Sequence, residues 1–214
     1  MNESLELINY LKYYFKSSNH IISKGVEELS YLKKWLQQEH AKSIQLPIEE
    51  YIKALIESCS HCTINQPKKY PFGSGKNGLM IILHAPSLIN KMELNLFKDD
   101  SISLLKKMVN AMNLSFNECY ITNLLKCEID YGLPSAHEVI LDCEYIIEEE
   151  INVIKPKVVI VMGEIKPLQS IVKNSTSIFW YNTEHPVTLI KSPDFKKNAW
   201  ATLQLVMKKL MEFN

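Results

Sequence analysis

The stretch AHEVILDCEYIIEEEINVIKPKVVIVMG, residues 136–163, reads as a long helix followed at once by a short buried strand. Val139–Ile140, Cys143, Ile146–Ile147 and Ile151 recur at three- and four-residue spacing and make one apolar stripe from Ala136 to Ile154. Lys155-Pro156-Lys157 ends that run, because proline has no amide to continue it. Val158-Val-Ile-Val161 is then uninterrupted and β-branched, as a strand covered on both faces must be, and it ends at Gly163. A helix feeding such a strand is the repeating half of an α/β fold.

The same alternation extends on both sides. Leu79-Met-Ile-Ile-Leu83 is a second short buried strand. Ser101 to Asn113 carries Ile102, Leu105, Met108, Val109 and Met112 on one helical face. Cys119-Tyr-Ile-Thr-Asn123 reads as a strand, Lys166 to Val172 as a short helix, Ile178-Phe-Trp-Tyr181 as a fourth strand and Asp194 to Phe213 as a closing helix. These elements predict a three-layer αβα sandwich around a central, mostly parallel, four-stranded sheet. Upstream, Leu5, Ile8, Leu11 and Tyr14–Phe15, and then Leu29, Leu32 and Leu36, keep helical spacing. We therefore expect an N-terminal helical extension over 1–46 and an α/β domain over 47–214. The domain opens with a helix whose first turn suits Pro47.

Composition narrows the function classes. Hydrophobic residues are 46% of the 214-residue chain, enough for a full core. The start Met-Asn-Glu-Ser lacks the basic leader of a signal peptide, and no apolar run approaches the ~18 residues of a membrane span. Five cysteines suit a reducing cytoplasm better than a disulfide framework, so we expect a cytoplasmic monomer with no membrane partner. Net charge is zero, but residues 155–214 hold nine Lys against four acids, and 59–154 hold eight against twelve. There is no arginine, so any phosphate contact must come from lysine point charges, hydroxyls or backbone amides. Lys166, Lys191, Lys196 and Lys197 are the candidates near the last strand end and final helix. The Pro- and Gly-rich connector from Cys62 to Asn77 lacks the spacing of a phosphate-binding P-loop.

Two groups of residues carry chemistry. Cys59-x-x-Cys62, Cys127 and Cys143 come from three segments and could supply four thiolates to one tetrahedral centre, either zinc or an iron–sulfur cluster. Spacing does not choose between them. Cys119 is the spare, expected as a buried strand residue. The second group stands where the strands end, the place where parallel sheets bind ligands. His84, Asn123 and His185 fall there, with Phe97 on the loop after the first strand. Asn can both donate to and accept from a pyrimidine edge, Phe offers a flat stacking face, and His can hold a developing anion or move a proton.

In this order and spacing the chain resembles the iron–sulfur, family 4, uracil-DNA glycosylases, over roughly Tyr51 to Met211. The features are Cys59-x-x-Cys62, Phe72-Gly-Ser-Gly75, a strand ending in Ala85-Pro86, and Phe97 eleven residues after Pro86. They continue with Tyr120-Ile-Thr-Asn123 followed by Lys126-Cys127, then Cys143, Lys155-Pro156-Lys157 before a strand ending in Gly163, and His185-Pro186. The resemblance implies a [4Fe–4S] cluster on Cys59, Cys62, Cys127 and Cys143. It also implies a pocket in which Phe97 stacks on an extruded uracil, Asn123 reads its edge and His185 contacts the pyrimidine. Ala85, Pro86, Ser87 and Pro186 complete the substrate-binding motifs by the same resemblance, with uracil-containing DNA as partner.

The chain departs from the family's usual first motif, Gly-Glu-Ala-Pro-Gly, by having Leu83-His84-Ala85-Pro86-Ser87. The motif carboxylate is thus replaced by His84, which can place water as a neutral base. The acidic pair that normally follows is replaced near Asn90 and Lys91, and the family's Asn-Arg loop by Glu128-Ile-Asp-Tyr-Gly-Leu-Pro134. The expectation is a repair glycosylase hydrolysing the N-glycosidic bond of uracil, with His84, Asn123 and His185 as catalytic residues. The alternatives are a non-catalytic glycosylase-fold protein that binds DNA, uracil or a protein partner, and a zinc-stabilised scaffold with no pocket.

Overall fold

A computed structural model describes residues 47–59, 67–85, 91–127 and 136–213, without the side chains of 91, 136–139 and 141–142. The expected 1–46 extension, Cys62, Pro86 and Ser87 lie outside the described residues. Helix α1 (Ile48–Glu57) begins after Pro47; strand β1 is Leu79–His84; α2 (Lys91–Leu96) and α3 (Lys98–Ala111) follow. Then come β2 (Tyr120–Asn123), α4 (Ala136–Ile154), β3 (Val158–Gly163), α5 (Gln169–Asn174), β4 (Phe179–Thr183), α6 (Pro186–Lys191) and α7 (Lys196–Met211). The strand order is β2-β1-β3-β4, and every neighbouring pair is parallel.

Period-two alternation divides the core into two layers. Leu79 and Ile81 of β1, with Val158, Ile160 and Met162 of β3, face Leu105, Met108 and Val109 of α3 and Leu203, Val206 and Leu210 of α7. Met80, Ile82, Val159 and Val161 face the other way, onto Ile147 and Ile151 of α4 and Ile171 of α5. This is the three-layer sandwich that the alternating elements require. Ile102, expected on the buried face of α3, is 42% exposed. Helix α1 rests Ile52 and Ile56 on Ile146 of α4, and Tyr51 donates to Glu149 at 2.7 Å.

Two short helices escape the sequence pattern, α2 and α6, each only six residues long. Six residues give too few turns for a periodic stripe. Residues 67–73 also cover the outer edge of β2 with two antiparallel bridges, Lys68 to Cys127 and Phe72 to Ile121. Gly73 is required there: at φ +86 a Cβ would collide with the Cys119 carbonyl oxygen.

Candidate active site

The parallel register places the chemistry. Leu83 lies opposite Asn123, His84 opposite Gly163, and Met162 opposite Thr183. The carboxyl ends of all four strands therefore fall on one edge, and the chain leaves β4 through Glu184 into His185.

His84 is 3% exposed. Its Nδ1 lies 3.0 Å from the Glu164 carbonyl oxygen. A carbonyl can only accept, so Nδ1 carries the proton and Nε2 is left as the acceptor of the neutral ring. The backbone pairs in return, with Glu164 N–H donating to the His84 carbonyl at 3.1 Å. Gly163 allows this approach: at φ +117 its Cβ would collide with the His84 carbonyl oxygen. Asn182 of β4 fixes the same turn, its side-chain amide donating to the Val161 and Gly163 carbonyls at 2.9 Å each. Burial lowers the His84 pKa, while the Glu164 hydrogen bond and charge oppose that shift.

His185 has the opposite tautomer. It caps α6, its Nδ1 accepting from the Val187 N–H at 3.2 Å. In the neutral ring Nε2 must then carry the proton and donate. The residue is 8% exposed, and burial together with the nearby charges of His84 and Lys69 brings its pKa down to about 4. At neutral pH the edge thus holds two uncharged imidazoles, one with an acceptor Nε2 and one with a donor Nε2.

Asn123 ends β2, half-buried, and its side-chain amide makes no hydrogen bond among the described residues. The turn after it is tied down by Lys126. The Lys126 amide donates to Cys143 Sγ at 3.4 Å, and its carbonyl accepts from Lys69 N–H at 2.8 Å. Its Nζ reaches Thr122 Oγ1 at 2.6 Å and both Glu150 carboxylate oxygens at 2.8 Å, and Thr122 donates to Glu150 at 3.1 Å. Lys126 and Glu150 are 1% and 0% exposed. Burial pushes the lysine pKa down and the glutamate pKa up, and each partner's charge pulls the other back toward its ionised form. Sequence reading treated Lys126 only as part of a motif; a buried lysine has no periodic signature, and its partner Glu150 sits in a run of three glutamates.

The cysteines gather around this strut. Cys127 and Cys143 share a buried cluster with Leu125 and Ile140. Cys59, at the end of α1, accepts Lys68 Nζ on its carbonyl at 3.0 Å, and Lys68 bridges to Cys127. Cys127 is disulfide-bonded, whereas Cys59, Cys119 and Cys143 are thiols. No group of three His, Cys, Asp or Glu among the described residues stands close enough to hold a metal ion. What bears on a cluster is the donor set: Cys127 and Cys143 pack together with the Lys126 N–H donating to Cys143 Sγ, and Cys59 lies in the neighbouring contact of α1 with Ile146 of α4. Cys119 is buried as expected, accepts from Asn77 at 3.2 Å, and has its thiol pKa raised by burial.

Phe97 is half-buried at the break between α2 and α3. An ion pair of 2.6 Å between Glu93 of α2 and Lys191 of α6 straps that break to the helix that His185 opens. Lys191, expected as a phosphate contact, is thus engaged with Glu93, whereas Lys166, Lys196 and Lys197 are exposed. Ala85 is half-buried just beyond β1, and Pro186 is buried at the first turn of α6. No helix among the described residues is long and apolar enough to cross a membrane.

Residues 70–204 match the family model of the Uracil DNA glycosylase superfamily. A type-4 uracil-DNA glycosylase from Saccharolobus solfataricus is 27% identical over 112 residues, which cover 50% of this chain and 52% of that protein. The chain spans about half the length of this curated relative.

Proposed function

Because the chain belongs to the uracil DNA glycosylase superfamily, we propose that it is a DNA repair glycosylase that hydrolyses the N-glycosidic bond of uracil in DNA and leaves an abasic site. The observation that carries this reading is the pair of neutral imidazoles with opposite tautomers, His84 and His185, at one sheet edge with Asn123.

The chemistry follows from those parts. The target nucleotide must leave the stack before its glycosidic bond can be reached. Phe97 offers the ring against which the uracil stacks, and Asn123 donates to and accepts from its edge. As the C1′–N1 bond breaks, its electron pair goes to the uracil and the sugar becomes cationic. His185 Nε2–H then donates to the uracil oxygen that takes up negative charge. A preorganised neutral donor serves here, because stabilisation of a developing anion needs no prior proton transfer. Water adds to C1′ and gives its proton to Nε2 of His84, the ring's acceptor. Uracil leaves as the anion and takes a proton from solvent.

Cys59, Cys62, Cys127 and Cys143 would hold a [4Fe–4S] cluster. Bound there, it would supply iron–thiolate cross-links between α1, the β2 loop and α4. Cys127 must be a thiolate for this, so cluster loading and its disulfide exclude each other. The replacement of the motif carboxylate by His84 favours a second reading, a glycosylase-fold protein that binds DNA, uracil or a protein partner without cleavage. Incubating the purified protein with a uracil-containing oligonucleotide, followed by alkali cleavage of abasic sites, separates the two. Strand scission at uracil supports the first, and intact strands despite binding support the second.

A further inference from the structure

We propose that Glu164 supplies the carboxylate that position 84 lacks, so that a His84–Glu164 pair drawn from two adjacent strands does the work of one motif glutamate. The proposal rests on the glycosylase reading and names a further residue in the same site. Its basis is geometric. His84 and Gly163 are register partners at the ends of β1 and β3, which makes Glu164 the next residue beyond the sheet. The two backbones are locked face to face by Glu164 N–H to the His84 carbonyl at 3.1 Å and by His84 Nδ1 to the Glu164 carbonyl at 3.0 Å. Gly163 is the residue that permits this approach, and Asn182 holds the turn from the other side. The Glu164 main chain therefore cannot drift from His84 without breaking β3, which keeps its side chain in the neighbourhood of the ring. Its negative charge also acts on the imidazole, favouring the protonated ring against burial.

Two functions follow from this one residue. The main chain of Glu164 holds His84 as the Nδ1–H tautomer, which presents Nε2 as the base. The side chain of Glu164 offsets charge at the step where charge appears. When water adds to C1′ and its proton passes to His84 Nε2, the positive charge of the sugar is quenched and reappears on the buried ring. The formal charge of Glu164 is what makes that arrangement tolerable in a buried place. Among the described residues, the other titratable groups that act on the pair are His185, as a neighbouring ring to His84, and Lys69, whose charge bears on His185. Neither contributes a negative charge. Glu164 is a positioning and charge-balancing residue in this account, acting on the reaction through His84.

The test uses the full-length protein and the variants E164Q, E164A and H84E/E164Q. Both single variants keep the main-chain carbonyl, so the tautomer and the fold stay in place and melting temperatures stay near wild type. On a uracil-containing oligonucleotide, E164Q and E164A should lower kcat by roughly tenfold to a hundredfold with KM unchanged, short of the loss of a full general base. The His84 imidazole, followed by NMR, should titrate at lower pH in E164Q than in wild type. A purely structural role would not move that titration at constant melting temperature. Moving the carboxylate to β1 in H84E/E164Q should regain activity over E164Q. Wild-type kcat in E164Q, an unshifted His84 titration, or no gain in the exchange variant would each overturn the proposal while leaving the glycosylase reading intact. A wild-type protein that binds uracil-DNA and releases no uracil would instead overturn that reading, and with it the positioning role of Glu164.

Discussion

His185, the proposed donor to the leaving uracil, also ties stability to pH through one buried ring. Its folded pKa of about 4 lies below the ordinary 6.5, so the unfolded chain binds the proton more tightly. Stability from this residue is therefore fully present above pH 6.5 and is lost as pH falls toward 4, by on the order of 3 kcal/mol. His84 shifts in the same direction and adds to the loss. Urea unfolding of wild type and His185→Gln, at neutral pH and near pH 4.5, should show the wild type losing more stability on acidification. Equal losses would mean that the ring is not held neutral by burial. In excision assays His185→Ala and Asn123→Ala should each lose roughly 10²–10³ in rate, the usual cost of removing one preorganised donor to a developing anion. Binding to uracil-free DNA should change little in either variant.

Among the elements, β2 and α4 depend on the Lys126–Glu150 pair that joins them. Lys126→Met alone leaves a buried, unpaired carboxylate and should cost about 3–5 kcal/mol. The double variant Lys126→Met/Glu150→Met removes both charges and should recover most of that loss, because an apolar pair avoids the desolvation of two ions. Denaturant melts of the two single variants and the double variant check this, and additive losses would contradict it. This pair also marks the limit of what the sequence discloses. Helix α4 and strand β3 are legible because apolar spacing is a one-dimensional signal, and the Ala136–Ile154 helix coincides with its pattern. Strands β1, β2 and β4 shift by one or two residues at their ends, since strand ends are set by hydrogen-bonding partners rather than by composition. The placement of His84, Asn123 and His185 at strand ends follows from the alternation of elements. The tautomers do not, because they depend on the Glu164 carbonyl and the Val187 amide, which only the fold brings near. Asn182 is likewise silent in sequence, and Glu164 shows there only as the residue after Gly163 at a strand end, with no role attached.

On the scale of the whole molecule, the proposed DNA contact must run through few and compact positive charges, because the chain has zero net charge and no arginine. Exposed Lys166, Lys196 and Lys197 lie on the C-terminal third, where lysines outnumber acids. Binding to a short duplex should therefore weaken steeply between roughly 50 and 200 mM salt, and Lys196→Gln/Lys197→Gln should reduce the slope by about two. A flat salt response would remove the lysine account. For the cysteines, anaerobically purified protein should be brown, with iron and sulfide in equal amounts, and Cys143→Ala should bleach it while Cys119→Ala should not. A colourless protein with one zinc per chain would contradict the cluster.

The most direct test of the central claim is single-turnover excision on a single-uracil oligonucleotide, with abasic sites revealed by alkali. The account predicts scission at the uracil position alone, none in the matched thymine strand, and a rate that falls in acid as His84 is protonated. Unbroken uracil strands under conditions in which the protein demonstrably binds them would contradict it.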